Sequence, residues 1–456
     1  MSKPPAKPTA RKPSAPATTQ GVGKTPRSSK ADQPAAEPAE GKRAAAKGTP
    51  DTPAAAAPPA PKQDAASTQP AAPAKPESAA KPATKPTAAA NAAPPAGAPA
   101  ATPAPPAGAP AATKPQTQIT VSRGMGNWLT SHGCSLAFTS YQTGQLFLVG
   151  VLPNGSVSFN QQNFSRAMGV SCVNGRLYLG SLFQVWRLEN MLRAGEVGNG
   201  SFDAVYVPRN AQTTGDIDVH ELGVDREGRV VFINTKYSCL ATLDLTHSFK
   251  PIWKPPFISK LAAEDRCHLN GLAMVDGRAK YVTAVSRSDV VTGWRARRHE
   301  GGVVIEVETG RIVTDQLSMP HSPRVVEDKL FVLDSGRGQL VEVDQKTGKR
   351  REIAFAPGFM RGLAIHRGHA IVTLSKPRDG SFKELALEEE LKKRDGEAWC
   401  GVVVINLASG DIVEWIRLEG EIVELFDVTA IPGVRCPMSI GVGTTEMQST
   451  VTFEKL

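Results

Sequence analysis

HLNGLAMVDG, residues 268–277, is one of five related stretches that recur about every 40–50 residues along the chain. Each is a short run of small and apolar residues that ends at a tight turn, which is typical of a β-strand leading into a hairpin. The other four are AMGVSCVNG at 167–175, VHELGVDREG at 219–228, HSPRVVEDK at 321–329 and MRGLAIHRG at 360–368. A repeat of this length predicts the blades of a β-propeller.

Each stretch is followed by further apolar runs, such as AKYVTAVS at 279–286 and GVVIEVE at 302–308, so every unit supplies several strands. A sixth unit is split. Residues 422–433 look like a first strand, and residues 135–159 look like the second to fourth strands. Joining them closes the ring and removes exposed sheet edges. We therefore expect an all-β, six-bladed β-propeller that is closed by a C-terminal strand clasp.

Four phrases carry a resemblance to a known family: DIDVHELGVD at 216–225, CHLNGLAM at 267–274, MPHSPR at 319–324 and MRGLAI at 360–365. Together they resemble a bacterial propeller family that is described only as a conserved hypothetical protein, a domain of unknown function, over about residues 122–440. The resemblance implies a propeller and no activity. At the level of single blades the sequence is loosely similar to gluconolactonase-like and strictosidine-synthase-like six-bladed propellers, whose acidic metal-site residues have no clear counterparts here.

The first part of the chain is a different kind of polymer. Residues 1–115 contain no Trp, Tyr, Phe, Leu or Ile and carry a net charge of +9, which equals the net charge of the whole chain. Such a segment cannot bury enough apolar surface to offset its ordering entropy. We expect a disordered, basic Ala/Pro/Lys-rich tail over 1–118, a propeller over 119–440 and a C-terminal extension over 441–456.

The charge distribution limits the partners that we expect. The region after the tail is electrically neutral, so the folded domain is not expected to bind nucleic acid. The tail either contacts nucleic acid or an anionic surface, or serves as a solvated tether, and its sparse Lys residues favour the tether.

Location and assembly are predicted from absences in the sequence. The start, MSKPPAKPTARKPSAP, lacks the apolar core of a secretory signal, and no run of about 18 apolar residues occurs. The six Cys are scattered without a CxxC pair, which is typical of reduced thiols. We expect a cytoplasmic monomer without a membrane span.

The most informative feature for function is three histidines at matching positions of consecutive units. In a propeller the first strand of each blade lines the central channel, so residues where these strands begin converge at one channel mouth. Reading round the ring, these residues include His220, His268, His321, Arg361 and Asp427. We take these five as candidate catalytic residues. The alternative is that the histidines only fill the channel and bond to nearby backbone.

Two kinds of chemistry suit this cluster. His220, His268 and His321 could hold a divalent transition metal, such as Zn, Fe, Cu or Mn, which would polarise a carbonyl or activate water. Without metal, the imidazoles could act as acid and base near neutral pH, and Arg361 could hold a carboxylate or phosphate.

Two insertions between second and third strands, residues 287–300 and 376–400, are expected to cover the histidine face. They either form lids or binding surfaces, or are exposed segments with solvated charges. The second contains the main helix candidate, residues 381–397. Further candidate substrate-binding residues on or near this face are Glu221, Asn270, Trp294 and Arg337.

Three functions remain open. The first is an enzyme, for example a metal-dependent lyase, hydrolase or isomerase, that acts on a small anionic substrate. The second is a non-catalytic ligand- or protein-binding propeller that is tethered by its tail, and the third is a structural scaffold. A fold alone does not choose among them.

Overall fold

A computed structural model of the 456-residue chain describes residues 117–382 and 384–454. The tail that is predicted for residues 1–118 lies outside the described residues, except for its last two positions. Its predicted disorder, and its role as a tether or a polyanion-binding segment, therefore stay predictions.

The strands are numbered in chain order. They are β1 (Gln118–Val121), β2 (Cys134–Ser140), β3 (Gln145–Val151), β4 (Val157–Asn163), β5 (Val170–Val173), β6 (Arg176–Gly180), β7 (Gln184–Asn190), β8 (Ala204–Thr213), β9 (Val219–Val224), β10 (Val230–Asn234), β11 (Cys239–Thr242), β12 (Lys250–Trp253), β13 (Leu269–Val275), β14 (Arg278–Ala284), β15 (Gly302–Glu306), β16 (Ile312–Leu317), β17 (Pro320–Val326), β18 (Lys329–Asp334), β19 (Gln339–Val343), β20 (Arg350–Phe355), β21 (Phe359–His366), β22 (His369–Ser375), β23 (Cys400–Asn406), β24 (Ile412–Glu419), β25 (Val428–Pro432) and β26 (Pro437–Ser439). The helices are α1 (Met125–His132), α2 (Ala386–Lys393) and α3 (Thr445–Ser449).

These strands form six sheets, and each sheet is one blade, so the predicted six-bladed propeller is confirmed. Blade 1 has the strand order β25-β2-β3-β4, and blades 2 to 6 begin with β5, β9, β13, β17 and β21 and continue in chain order. The first strand of blade 1 therefore comes from the C-terminal part of the chain, where β25 pairs antiparallel with β2. Two short strands extend the outer edges: β1 pairs with β24 in blade 6, and β26 pairs with β8 in blade 2.

A separate apolar core lies between each pair of neighbouring blades. The side chains of each core come from the facing sides of two sheets, which explains the alternation of apolar residues along the strands. The core between blades 6 and 1 also takes in α1, through Met125, Trp128 and Leu129. The sequence analysis did not predict this helix. The spacing of these three residues places them on one face of a helix.

The inner strands β25, β5, β9, β13, β17 and β21 lie side by side around the axis. Three glycines allow this close approach. A Cβ atom added at Gly169 would lie 2.0 Å from the carbonyl oxygen of His220, and one at Gly362 would lie 2.5 Å from the Cα of Asp427. At Gly271 the nearest backbone atom, the nitrogen of Ser322, would be 2.8 Å away. The narrow ring therefore requires glycine at these positions.

Both insertions join second to third strands, as the sequence predicts. The first contains a 3-10 turn at Gly293–Arg297 between β14 and β15. The second contains α2, which is shorter than the predicted 381–397 helix. Leu387 and Leu391 of α2 are buried against Phe359 and Phe382, so this insertion packs on blade 6.

All six Cys are free thiols, and five of them are buried, in agreement with the prediction of reduced cysteines. In the part of the chain that the structure describes, no helix has the length and apolarity needed to span a membrane.

We expect Gly362→Ala to lower the free energy of unfolding by about 2–4 kcal/mol, because the new Cβ overlaps the backbone of the neighbouring inner strand. Urea unfolding of the full chain measures this. Gly396→Ala is the matched control, since the nearest atom to its added Cβ is 3.8 Å away. Equal stability of the two variants would show that the inner strands can separate without cost.

Candidate functional site

His220, the second residue of β9, is held through its Nδ1 atom. Nδ1 lies 3.2 Å from the carbonyl oxygen of Asp218 and 2.7 Å from the hydroxyl oxygen of Thr235. A carbonyl oxygen only accepts, so Nδ1–H is the donor and the neutral ring keeps its lone pair on Nε2. Asp218 has a left-handed backbone, with φ of 56°, and this conformation turns its carbonyl towards the ring.

His321, the second residue of β17, repeats this arrangement two blades further on. Its Nδ1 donates to the carbonyl oxygen of Met319 at 2.8 Å, and the Ser335 hydroxyl lies 3.1 Å away. Met319 also has a left-handed backbone, with φ of 50°. The Nε2 atom is buried and has no hydrogen-bond partner among the described residues.

Burial keeps both imidazoles uncharged at neutral pH. It lowers the pKa of His220 from 6.5 to about 4, although the nearby Asp218 carboxylate opposes the shift. It also holds the pKa of His321 well below 6.5, and the positive charge of Arg361 is the second cause. Protonation of either ring at Nε2 is therefore unfavourable, whereas the neutral ring can still accept a hydrogen bond there.

His268 lies one residue before β13 and is held differently. Its Nδ1 lies 3.0 Å and 3.1 Å from the two carboxylate oxygens of Asp265. The same carboxylate accepts a hydrogen bond of 2.7 Å from the indole N–H of Trp294, in the first insertion. The Trp294 ring lies over the imidazole with centroids 4.3 Å apart. The His268 side chain is 14% exposed, compared with 5% for His220.

The rings form a continuous row at the mouth. His268 and His220 are perpendicular, with centroids 5.0 Å apart, and His220 contacts Phe426 at 5.2 Å. The structure thus brings two of the three predicted histidines into direct contact. Phe426, which precedes β25, connects them to the side of the mouth where Arg361 lies.

Arg361 is surrounded by aromatic rings. Its guanidinium carbon lies 5.0 Å from the ring centre of Phe359, 5.2 Å from that of Tyr141 and 5.9 Å from that of Phe426. The side chain is only 15% exposed, and its nearest carboxylate oxygen, on Glu424, is 3.6 Å away. Its Nε is buried and has no partner, and its side chain makes no hydrogen bond to a described residue. A largely buried guanidinium usually donates to protein groups, so Arg361 has donors available for a ligand.

Glu424 is occupied mainly by another arginine. Arg378, from the second insertion, donates to it at 2.8 Å and 3.1 Å, and the Tyr141 hydroxyl donates to it as well. The sequence analysis did not single out these three residues. Their separation along the chain hides the cluster, and only the position of the second insertion brings them together.

An open pocket of about 290 Å³ lies beside these groups, under both insertions. Arg361, Trp294 and Phe359 line it. Two of the histidines lie behind these walls: His268 packs against Trp294, and His321 packs against Phe359 with ring centroids 5.7 Å apart. Among the described residues that line it, the charged ones are Arg295, Arg298, Arg361, Lys376, Arg378, Asp379 and Glu424. Cationic side chains outnumber acidic ones, so the pocket suits an anion.

Two predicted residues point into the channel instead of the mouth. Glu221 accepts hydrogen bonds from the backbone nitrogen of Leu272 at 2.6 Å and from Arg324 at 3.0 Å. Asp427 accepts one from the backbone nitrogen of Val170 at 2.9 Å and lies 3.9 Å from Arg324. Burial raises the pKa of Asp427, the Glu221 charge adds to the shift, and Arg324 opposes it. These groups cross-link the blades inside the ring.

The other two predicted residues also bind within the protein. The Asn270 side chain accepts a hydrogen bond of 2.6 Å from the Thr283 hydroxyl inside blade 4. Arg337 donates to Asp334 at 2.6 Å and to the carbonyl oxygen of Gln316 at 3.1 Å, and it does not line the pocket. Their predicted roles in substrate binding stay predictions, without support from these contacts.

The metal alternative also stays a prediction. Across residues 117–382 and 384–454, no three His, Cys, Asp or Glu side chains are grouped so that they could hold a metal ion.

The chain belongs to the family described as domain of unknown function (DUF4915), whose model matches residues 123–440. This confirms the resemblance noted in the sequence. No curated protein matches the chain.

Solved structures that resemble it are propeller proteins. A nidogen/laminin complex gives a TM-score of 0.43 at 12% identity, covering 66% of this chain and 99% of that chain. Virginiamycin B lyase from Staphylococcus aureus gives 0.33 at 8% identity, with the same coverage. A streptogramin B lyase gives 0.31 at 11% identity, covering 61% of this chain and 73% of that chain. At these values they carry no argument about function.

We expect the stability that His220 contributes to depend on pH. Because its pKa falls from 6.5 in the unfolded chain to about 4 on folding, only the unfolded chain gains a proton as the pH drops through this window. The contribution is therefore complete above pH 6.5 and is lost as the pH falls towards 4. Between pH 7 and 4.5, the difference in unfolding free energy between wild type and His220→Gln should shrink by about 2–3 kcal/mol.

Comparing the two proteins cancels the other titrating groups, such as Asp427, which acts in the opposite direction because its pKa is raised on folding. Urea unfolding at several pH values measures the difference. A difference that does not change with pH would contradict the burial of a neutral imidazole at this position.

Proposed function

We propose that this member of the DUF4915 family is an enzyme that binds a small anionic molecule at the channel mouth and transfers a proton to or from it. Lyases, hydrolases and isomerases share this chemistry. The proposal concerns the pocket under the two insertions, together with the imidazoles behind its walls.

The Arg361 guanidinium carries the proposal. Arg361 is largely buried, its Nε is shielded from water without a partner, and its side chain makes no hydrogen bond to a described residue, so part of its hydration is lost without replacement. A carboxylate or phosphate in the pocket would supply those bonds through paired acceptor oxygens. The surrounding rings do not neutralise the positive charge of the guanidinium, and they exclude water from its faces.

The histidines support proton transfer rather than binding alone. Each is fixed through Nδ1, so its ring orientation is set before a ligand arrives. The Nε2 atoms of His220 and His268 make no hydrogen bond to a described residue. A base that is already oriented near a bound anion is the usual arrangement in acid–base catalysis.

A non-catalytic ligand-binding propeller is the second candidate. The same Arg361 observation supports it, because anion binding alone would satisfy the guanidinium. The two functions differ only in whether the imidazoles act on the ligand.

We expect Arg361→Met to weaken the binding of benzoate and of inorganic phosphate to the full chain by at least about tenfold, because a hydrogen-bonded charge pair is lost. Methionine keeps the apolar stem that contacts the rings. Isothermal titration calorimetry measures the affinities. The matched control is Arg351→Met in β20, whose arginine is 67% exposed and pairs with Glu342. Equal affinities of wild type and Arg361→Met, or equal losses in both variants, would refute the anion site.

Catalysis is tested with a mixture of small carboxylates and phosphate esters in D2O, followed by mass spectrometry. We expect at least one compound to gain deuterium or change in mass with wild type, and to do so with neither Arg361→Met nor His268→Gln. Binding that depends on Arg361 without any such change would favour the non-catalytic alternative.

A further inference from the structure

The three histidines at the mouth are held in two different ways, which a comparison of blades 3 and 5 with blade 4 shows. In blades 3 and 5 the anchor of the imidazole is a backbone carbonyl two residues earlier, supported by a hydroxyl at the end of the second strand. An arrangement that recurs in two blades is explained by the architecture of the blade. His220 and His321 are also the more buried of the three.

Blade 4 departs from this pattern. His268 itself has a left-handed backbone, with φ of 50°, and so does Asp265, with φ of 43°. In these conformations a carboxylate takes the place of the carbonyl anchor. Its two oxygens lie 3.1 Å and 3.0 Å from Nδ1 of His268. A carboxylate can stabilise the positive charge of a protonated imidazole, which a neutral carbonyl does much less well.

The carboxylate is itself held in place. One of its oxygens accepts the indole N–H of Trp294, whose ring covers the imidazole and lines the pocket. Arg266, the next residue in the chain, is bound to Asp289 at 2.7 Å and so ties the first insertion to the same loop. The His268–Asp265 pair and the Trp294 wall of the pocket are thus connected by hydrogen bonds and an ion pair.

We propose that His268 is the proton-transferring residue of this site and that Asp265 is its positioning residue. This rests on the proposed function and deepens it by assigning the base. In the transfer, an O–H or C–H bond of the substrate breaks, its electron pair stays on that atom, and an N–H bond forms at Nε2. Asp265 stabilises the imidazolium, and the proton returns later to the leaving atom or to water. His220 and His321 remain neutral and shape the mouth.

Carbethoxylation by diethyl pyrocarbonate tests the assignment without a known substrate, because Nε2 attacks the reagent and positive charge develops on the ring. We expect His268 of the full chain to react faster than His220 and His321, as followed residue by residue with mass spectrometry at pH 7. Asp265→Asn should slow the reaction of His268 by about tenfold, since the amide no longer stabilises the developing charge.

The sign of the effect separates the proposal from a purely structural role. If Asp265 only holds the loop, its replacement exposes the ring and speeds the reaction. Trp294→Phe is the matched control, because it removes the other hydrogen bond of the same carboxylate and leaves the charge next to His268. We expect the rate with Trp294→Phe to equal or exceed that of wild type.

An unchanged or faster reaction of His268 in Asp265→Asn overturns the proposal, and so does equal slowing in both variants. Reaction of His220 or His321 ahead of His268 overturns it as well. The result does not depend on anion binding. A failure of the Arg361 experiment would remove the proposed function, whereas a failure here removes only the assignment of the base.

Discussion

The close approach of six inner strands around one axis is the constraint on which the rest of the structure depends. At Gly169 and Gly362 the backbones of neighbouring blades pass so near each other that a single methyl group would overlap them. Because the ring is this narrow, the residues at which the inner strands begin share one small area. The convergence of His220, His268 and Arg361 is therefore a consequence of ring closure and not of local sequence.

Within that area, small departures from the repeat distinguish the groups. Two histidines are held by the backbone in the same way, and one is held by a carboxylate. Arg361 makes no side-chain hydrogen bond to a described residue, whereas Arg378 donates hydrogen bonds to Glu424. A repeated fold makes such differences visible, because each blade serves as a reference for the others.

The sequence predicted the number of blades, the position of the histidines and the sites of both insertions, since these follow from spacing alone. It did not separate residues by the direction of their side chains. Neighbouring residues on a strand point to opposite sides, and this rule already argues against a shared site for His220 and Glu221. The same rule places Asn270 on the side of His268, which lies two residues earlier. It fails there because the pairing of β13 with β14 shifts register between Leu269 and Gly271.

Asp265 was missed for a different reason. An aspartate three residues before a histidine is a weak signal, and the contact depends on two left-handed residues that the sequence does not indicate. Arg324 was missed although it belongs to a quoted repeat. Its partners, Glu221 and Asp427, come from blade 3 and from the segment before β25, so only the closed ring brings them together.

The split first blade has a consequence for the order of events in the cell. Synthesis runs from the N-terminus, so β2, β3 and β4 wait as an incomplete sheet until β25 has been made. Glu424, Phe426 and Asp427 arrive in the same late segment, which means that the mouth is assembled at the moment the ring closes. A chain that is truncated before this point would lack both the final blade strand and part of the pocket. Such a fragment would expose an open sheet edge to chaperones and proteases while offering no finished site to a ligand.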